Sequence, residues 1–254
     1  MSTSTEPFDL VPPAEMLFDG TQKCEEFVET GDNFVRAYLI DRGRLLPHER
    51  ILDIGSGNGQ KARPLTRFLA ANGSYVGIDV VASGINWCRE NYRARFPNFS
   101  FDLIDVKSSH YNPDGKVSDD KVRLPYPDGN FDMVLLSSVF THMEPAGAAN
   151  YIAEIARVLK PGGRCVATFS FVNKESILRA LQGLLPATTL PHRYATHWIA
   201  DKESPTTWVA LSENFVRDEF ANANLRICEV TYGSWTGAPD MFGAAQDVII
   251  AKRL

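Results

Sequence analysis

The stretch Ile51-Leu52-Asp53-Ile54-Gly55-Ser56-Gly57-Asn58-Gly59 decides the fold. Arg50–Ile54 is a short apolar run that stops at glycines, so it reads as a buried strand. The glycines let the backbone turn sharply and let a ligand approach with no Cβ in the way. The helix that follows offers free N–H groups at its start. Dinucleotide binders carry G-x-G-x-x-G at this place. Here Gly55 and Gly57 fit, but Gln60 stands at the third position and Gly59 comes one residue early. A carboxylate aimed into the loop from Asp53 repels a pyrophosphate and attracts an ammonium, which favours a ligand with a cationic amino-acid end. Asp79, 20 residues after Gly59, closes a second strand and suits a carboxylate that accepts both hydroxyls of a ribose. Asp105 follows a third strand. It is placed either to accept from an adenine amino group, with Ile104 or Val106 against the ring, or to hold a turn.

Outward from this loop, strand-like and helix-like segments alternate. Helical spacing predicts helices over 61–71 and 82–95, with Pro64 tolerable only in a first turn. Strands are predicted over 75–80, Phe99–Leu103, Phe131–Leu136 and 164–171, and a helix over 145–159 that Lys160-Pro161-Gly162-Gly163 terminates. Such alternation implies a parallel sheet with helices on both faces and right-handed crossovers. Near the end, a helix over 213–223 precedes strands Leu225–Thr231 and Asp247–Arg253, a terminal hairpin at the sheet edge. Residues 21–46 read as one or two helices packed outside the sheet. Two long segments, 107–130 and 183–211, read as irregular. Structureless stretches longer than ~15 residues are usually functional or disordered. The first, with His110 and Tyr111, is a candidate lid.

Taken together, ILDIGSGNG, the acid of YVGIDV, Asp105, FDMVLLSSVFTHM and RVLKPGGRCVATF resemble the successive motifs of class I S-adenosylmethionine-dependent methyltransferases. The resemblance covers residues 50–171. It implies a doubly wound seven-stranded α/β sheet of order 3-2-1-4-5-7-6, strand 7 antiparallel, with an N-terminal helical cap. It implies S-adenosylmethionine as cofactor. Asp53, Gly55, Ser56 and Gly57 would line the methionine part, Asp79 would bind the ribose, and Val80 would lie against the adenine. Asp105 and Val106 would flank the adenine, and Ser137 would lie near the sulfonium. The expected organisation is a flexible lead over 1–20 and one domain over 21–254. That domain comprises N-terminal helices (21–48), a cofactor core (49–171) and a substrate-side half (172–254).

The acceptor is less legible. The chain has 254 residues, one to two domains at ~150 each, with formal charge −5 and pI near 5.6. That balance argues against a nucleic-acid partner. The segment after the fourth strand, Ser137-Ser138-Val139-Phe140, is unlike the [DN]-P-P-[YF] of amino-methylating enzymes and has no Pro-Cys nucleophile. No apolar run approaches the ~18 residues of a membrane span. The start lacks a signal-peptide pattern. The four cysteines are scattered, which suits reduced thiols in a cytoplasmic protein and no metal cage. The expected partner is a small-molecule acceptor: the ending Tyr232-Gly233-Ser234-Trp235-Thr236-Gly237 with Gln246-Asp247-Val248-Ile249-Ile250, and Tyr111-Asn112-Pro113 before Gly115, resemble bacterial methyltransferases of sugar, glycan or secondary-metabolite pathways, a resemblance that implies a hydroxyl on such a molecule. Hydroxyl methylation needs a proton removed, and His142 is the candidate base. Tyr111, His192, Tyr194, His197 and Trp235 are candidate acceptor contacts, Trp235 by stacking on a sugar face. Amine or carboxylate acceptors, a nicotinamide-dependent oxidoreductase and a non-catalytic cofactor-binding module are the rivals. A homodimer through a sheet edge or the N-terminal helices is left open.

Overall fold

The computed structural model describes residues 9–17, 21, 23–185, 190–238 and 245–254. The chain divides into two compact units, Met1–Ile104 and Asp105–Leu254.

In the first unit, α1 (Cys24–Phe34) runs directly into a π-helical stretch, Val35–Arg42. Then β1 (Arg50–Ile54), α2 (Ala62–Phe68), β2 (Ser74–Asp79), α3 (Ala82–Tyr92) and β3 (Phe99–Leu103) alternate as expected, both later helices ending about three residues early. β1, β2 and β3 pair in parallel, with Asp53 opposite Gly77 and Tyr75 opposite Phe99. β1 and β2 are buried almost throughout, as a sheet covered on both faces requires, while β3 at the edge alternates buried Phe99 and Phe101 with exposed Ser100 and Leu103. Tyr75, Tyr92, Phe99 and Phe101 form one aromatic cluster, with Tyr92 and Phe101 centroids 5.0 Å apart. Within the expected lead, Asp9 accepts from Arg95 Nη1 and Nη2 at 2.7 and 2.6 Å. The Met16 carbonyl accepts from Asn58 Nδ2 at 2.6 Å.

In the second unit, β4 (Phe131–Leu136), α4 (Pro145–Val158), β5 (Leu159–Phe169), β6 (Phe171–Val172) and α5 (Lys174–Leu181) come first. After them come β7 (His192–Arg193), β8 (His197–Ile199), β9 (Val209–Ser212), α6 (Glu213–Asn222), β10 (Leu225–Thr231) and β11 (Asp247–Arg253). β4 and β5 are parallel; β11 is antiparallel to β5 and to β10. The seven-stranded sheet has the order β10-β11-β5-β4-β1-β2-β3, which is the expected 3-2-1-4-5-7-6. The terminal hairpin reaches the edge through β10.

Three expectations need correction. β5 starts at Leu159, not 164: the Lys160-Pro161-Gly162-Gly163 turn is taken into the strand through an irregularity in its pairing with β4. Gly162 supplies the positive φ of 80° that this needs. The segment 183–211 is not structureless. It carries most of a second sheet, β6-β9-β8-β7, whose strands are too short to show a period. Its Trp198 and Ala210 pack with Leu190 in a small core. α5 was unforeseen, although its signal is local: Asn173 and Ser176 form a reciprocal capping box.

The other long segment, 107–130, has only a 3-10 turn (Asp119–Lys121) and two isolated bridges, Val106–Val117 and Ser108–Asn112. Arg157 on α4 donates to the carbonyls of Leu124 and Tyr126, and to Glu154 on its own helix. Glu154 in turn accepts from the Leu124 amide at 2.7 Å. Asn150 Nδ2 donates to the carbonyls of Asp119 and Val122, both at 2.9 Å. These bonds fasten 119–126 to α4.

Candidate functional site

In the first unit the site is the loop after β1. Gly55, Gly57 and Gly59 have φ of 77°, 54° and 86°, so each adopts the left-handed backbone that side chains resist. The loop spends its amides on itself: Gly55 and Ser56 donate to the Ile78 carbonyl, and Gly59 donates to Ser56. Gly57 donates to Asp79 Oδ2 at 2.7 Å. Asp79 Oδ1 accepts from Val81 N at 2.8 Å. The loop amides ahead of α2 are thus consumed within the protein. Burial pushes the Asp79 carboxyl up, while these amide bonds pull it back. Asp53 is buried and accepts from Tyr75 Oη at 2.6 Å, which with burial drives the phenol well above its ordinary range. Val80 is half-buried beside Asp79.

Among the described residues, Ser56 Oγ, Asn58 Oδ1 and Gln60 Nε2, all buried in this loop, have no hydrogen-bond partner. A buried unpaired polar atom costs about 1–3 kcal/mol, so such a cluster fits a polar ligand. The donor set fits S-adenosylmethionine: carboxylates for an ammonium and for ribose hydroxyls, and glycines where a ligand backbone must approach. The Asp79 carboxylate offers about four lone pairs, and beside the amides of Gly57, Val80 and Val81 it keeps capacity for a hydroxyl.

In the second unit, Asp105 is exposed and holds its own loop: Oδ1 accepts from Lys116 N at 3.2 Å and its carbonyl from Val117 N at 3.1 Å. Val106 is buried and bridged to Val117. Ser137 is half-buried at the end of β4. Sequence reasoning missed its neighbour Ser138, which has φ of 60°. The Ser138 amide donates to Thr168 Oγ1, and both hydroxyls donate to Gln246 Oε1.

His142 ends the 3-10 turn Phe140–His142 and is half-buried. Its Nδ1 lies 2.9 Å from the Thr206 carbonyl oxygen. A carbonyl only accepts, so Nδ1 carries the proton and Nε2 is the acceptor of the neutral ring. Burial first, then the charge of His110, lowers its pKa. His110 lies parallel to it at 6.1 Å, and Tyr111 meets it edge-on at 5.2 Å. His197 is half-buried on β8; its Nε2 is 3.9 Å from Glu144 Oε1, and its ring stacks with exposed Tyr194 at 4.8 Å. Burial lowers the His197 pKa, against Glu144. His192 is on β7, paired with Ile199. Trp235 packs against the Leu190–Trp198–Ala210 core, and its Nε1 donates to Asp247 Oδ2 at 2.8 Å. So Tyr111 and His142 share one aromatic cluster, Tyr194 and His197 another, and Trp235 belongs to neither. His110 and Thr206 were also missed as neighbours of His142; only pairing between distant segments brings them there.

An open α/β sheet of this order, with a glycine loop after its first strand and an acid after its second, defines a Rossmann-like binding fold. Residues 52–167 match the family model described as "Methyltransferase domain". The fatty-acid O-methyltransferase of Mycolicibacterium smegmatis is 33% identical over 115 residues, 45% of this chain and 35% of that one. The demethylmenaquinone methyltransferase of Mycolicibacterium gilvum is 27% identical over 187 residues, 68% of this chain and 71% of that one. The chain thus spans about a third of the first relative's length and more than two thirds of the second's. A solved S-adenosylmethionine-dependent methyltransferase from Methanosarcina mazei aligns with TM-score 0.56 and 21% identity, over 85% of this chain and 98% of that one; this likeness speaks for the fold. The matched domain model, these relatives and the solved structure thus make this chain similar to S-adenosylmethionine-dependent methyltransferases, whose cofactor the glycine loop and Asp79 suit. Among the described residues, no helix is long and apolar enough to cross a membrane, and no group of three or more His, Cys, Asp or Glu side chains is placed to hold a metal.

Proposed function

We propose that this protein methylates a hydroxyl group of a small molecule, with His142 as general base. The observation that carries the reading is the 2.9 Å contact of His142 Nδ1 with the Thr206 carbonyl, which makes Nε2 the basic nitrogen of a ring that burial keeps neutral. Asp53, Ser56 and the Gly55–Gly57 backbone hold the methionine end of the cofactor, and Asp79 holds its ribose. Val80, Asp105, Val106 and Ser137 complete that side. When bound, S-adenosylmethionine supplies an activated methyl group on a sulfonium. His142 Nε2 takes the acceptor's hydroxyl proton; the bound cofactor would supply the methyl group to that oxygen and would leave as S-adenosylhomocysteine. Otherwise the protein positions the acceptor and excludes water. Tyr111, His192, Tyr194 and His197 line the acceptor side, and a sugar, glycan or secondary-metabolite hydroxyl is the acceptor class this base suits. The protein acts without nucleic acid or membrane as partner.

A second reading, methylation of a carboxylate, has one observation in its favour, the fatty-acid O-methyltransferase among its relatives. A carboxylate is already ionised at neutral pH and needs no base.

The test begins with calorimetric titration of S-adenosylhomocysteine into wild type and Asp79→Ala, with NAD as control. Binding to wild type alone supports the cofactor assignment; preference for NAD refutes it. Radiolabelled S-adenosylmethionine is then offered with a panel of glycosides, alcohols, phenols and free fatty acids. The proposal expects label on a hydroxyl and a loss of about 100-fold or more in His142→Ala. Label on fatty acids with His142→Ala unimpaired would establish the second reading instead.

A further inference from the structure

We propose that Thr206 is a positioning residue for His142, and that the Ser109 hydroxyl latches it in place. The inference rests on His142 as base and deepens it. His142 is fixed on its own side by the turn, where its amide donates to the Val139 carbonyl at 2.9 Å. Its ring is oriented from elsewhere. Thr206 sits in the 3-10 turn Pro205–Thr207, which Thr207 closes by donating its amide to the Ser204 carbonyl and its hydroxyl to Ser204 Oγ. Those bonds leave Thr206 to face outward from the turn in two directions. Its carbonyl meets His142 Nδ1, and its hydroxyl hydrogen-bonds with Ser109 Oγ.

The Ser109 end lies in the stretch 108–117, ahead of the part that α4 fastens. That stretch holds itself by the Ser108–Asn112 bridge and by Asn112 Nδ2 on the Val106 carbonyl. The same stretch lays His110 and Tyr111 against the His142 ring. One hydroxyl pair therefore ties the loop, the turn and the base together. With the loop seated, Thr206 presents its carbonyl and Nδ1 must hold the proton. With the latch broken, the turn is free to withdraw the carbonyl, and the ring reverts to the mixture of tautomers of an unconstrained imidazole. A base whose proton sits on the wrong nitrogen cannot accept one where it is needed.

The experiment uses Ser109→Ala, Thr206→Val and Thr206→Ser in the full chain. The first readout is the nitrogen-15 NMR signature of the His142 ring, which needs no acceptor. Wild type and Thr206→Ser are expected to show a protonated Nδ1 and a bare Nε2; Ser109→Ala and Thr206→Val are expected to show the other tautomer gaining. The second readout is turnover: kcat falls about tenfold in Ser109→Ala and Thr206→Val, a fraction of what a general base supplies, with KM for S-adenosylmethionine unchanged and Thr206→Ser restored. The double variant is expected to be no worse than either single one. An unchanged ring signature in both disrupting variants, or fully additive losses, overturns the latch. Should the tautomer shift while His142→Ala keeps full turnover, the latch stands and the assignment of His142 as base falls.

Discussion

Adding one methyl group to Gly77 tests how tightly the cofactor loop is built. Gly77 lies in β2 opposite Asp53. A Cβ placed there comes 2.8 Å from Ser56 Oγ, 2.9 Å from Ser56 Cβ and 2.9 Å from Phe101 Cδ1, all well inside ordinary contact. None of the three neighbours can retreat cheaply. Phe101 is wedged among Tyr75 and Tyr92. Ser56 is held by its amide on the Ile78 carbonyl at 3.0 Å. Overpacking of this kind costs about 1–3 kcal/mol. At roughly 2–4 °C per kcal/mol for a chain of this size, Gly77→Ala is expected to lower the melting temperature by about 5 °C. The methyl group also drives Ser56 out of place, and losing one polar contact to the ligand weakens S-adenosylhomocysteine by about tenfold. Calorimetry reads both quantities. In the pair Gly77→Ala with Ser56→Gly, two of the three clashes vanish, so the melting temperature should climb part of the way back while binding stays weak. If Gly77→Ala alone leaves melting and affinity unchanged, β2 relaxes without strain and the rigid-loop argument is wrong.

Other expectations follow from the same contacts. For a hydroxyl acceptor, kcat/KM should rise with pH through a midpoint below the usual histidine value of ~6.5 and be level by pH ~7.5. Burial and the charge of His110 both disfavour protonated His142, with the Tyr111 ring and the Thr206 and Thr207 backbone packed on the same ring. A midpoint at or above 7 would contradict this. Arg157→Met leaves Glu154 charged and half-enclosed and frees 124–126, so it should cost about 3 kcal/mol in urea unfolding. Arg157→Met with Glu154→Leu should recover much of that loss, and a double variant worse than the single one would count against it. Burial raises the Asp247 carboxyl to about 6, against the donors Gly233 N, Phe171 N and Trp235 Nε1. Its folded pKa lies above its unfolded one, so the folded state holds the extra proton and stability falls as pH rises from about 4 to 6. Trp235 fluorescence should shift with a midpoint near 6 and the shift should vanish in Trp235→Phe; a flat titration in wild type would refute the assignment.

The cofactor half of the fold was legible because its constraints are local. Three glycines must turn the chain within five residues, and each announces its positive φ by lacking a side chain. Asp79 stands where the next parallel strand ends, a position that strand spacing alone delivers. Gly55, Ser56 and Gly57 spend their own amides just as locally, on Ile78 and Asp79 of the neighbouring strand. The acceptor half resisted because its elements exist only through pairing. β7 and β8 have two and three residues and no periodicity of their own; β8 forms by lying against β9, and β7 by lying against β8. Thr206 reaches His142 across 64 positions of sequence, and nothing in either neighbourhood marks the other.

The chemistry of the acceptor explains why this half should be the variable one. Transfer from a sulfonium is already downhill, so the residues around the acceptor have little bond-making work to share. Their task is set by the acid strength of the group to be methylated. A carboxylate arrives without its proton and asks only for a pocket. An alcohol hydroxyl ionises far above neutral pH and asks for a base whose free nitrogen faces it. A histidine whose Nδ1 is committed to a backbone carbonyl, in surroundings that keep it neutral, is an arrangement a carboxylate acceptor would leave idle. The proton that must go somewhere is thus a stronger argument for a hydroxyl acceptor than the names of relatives at a third of identity or less.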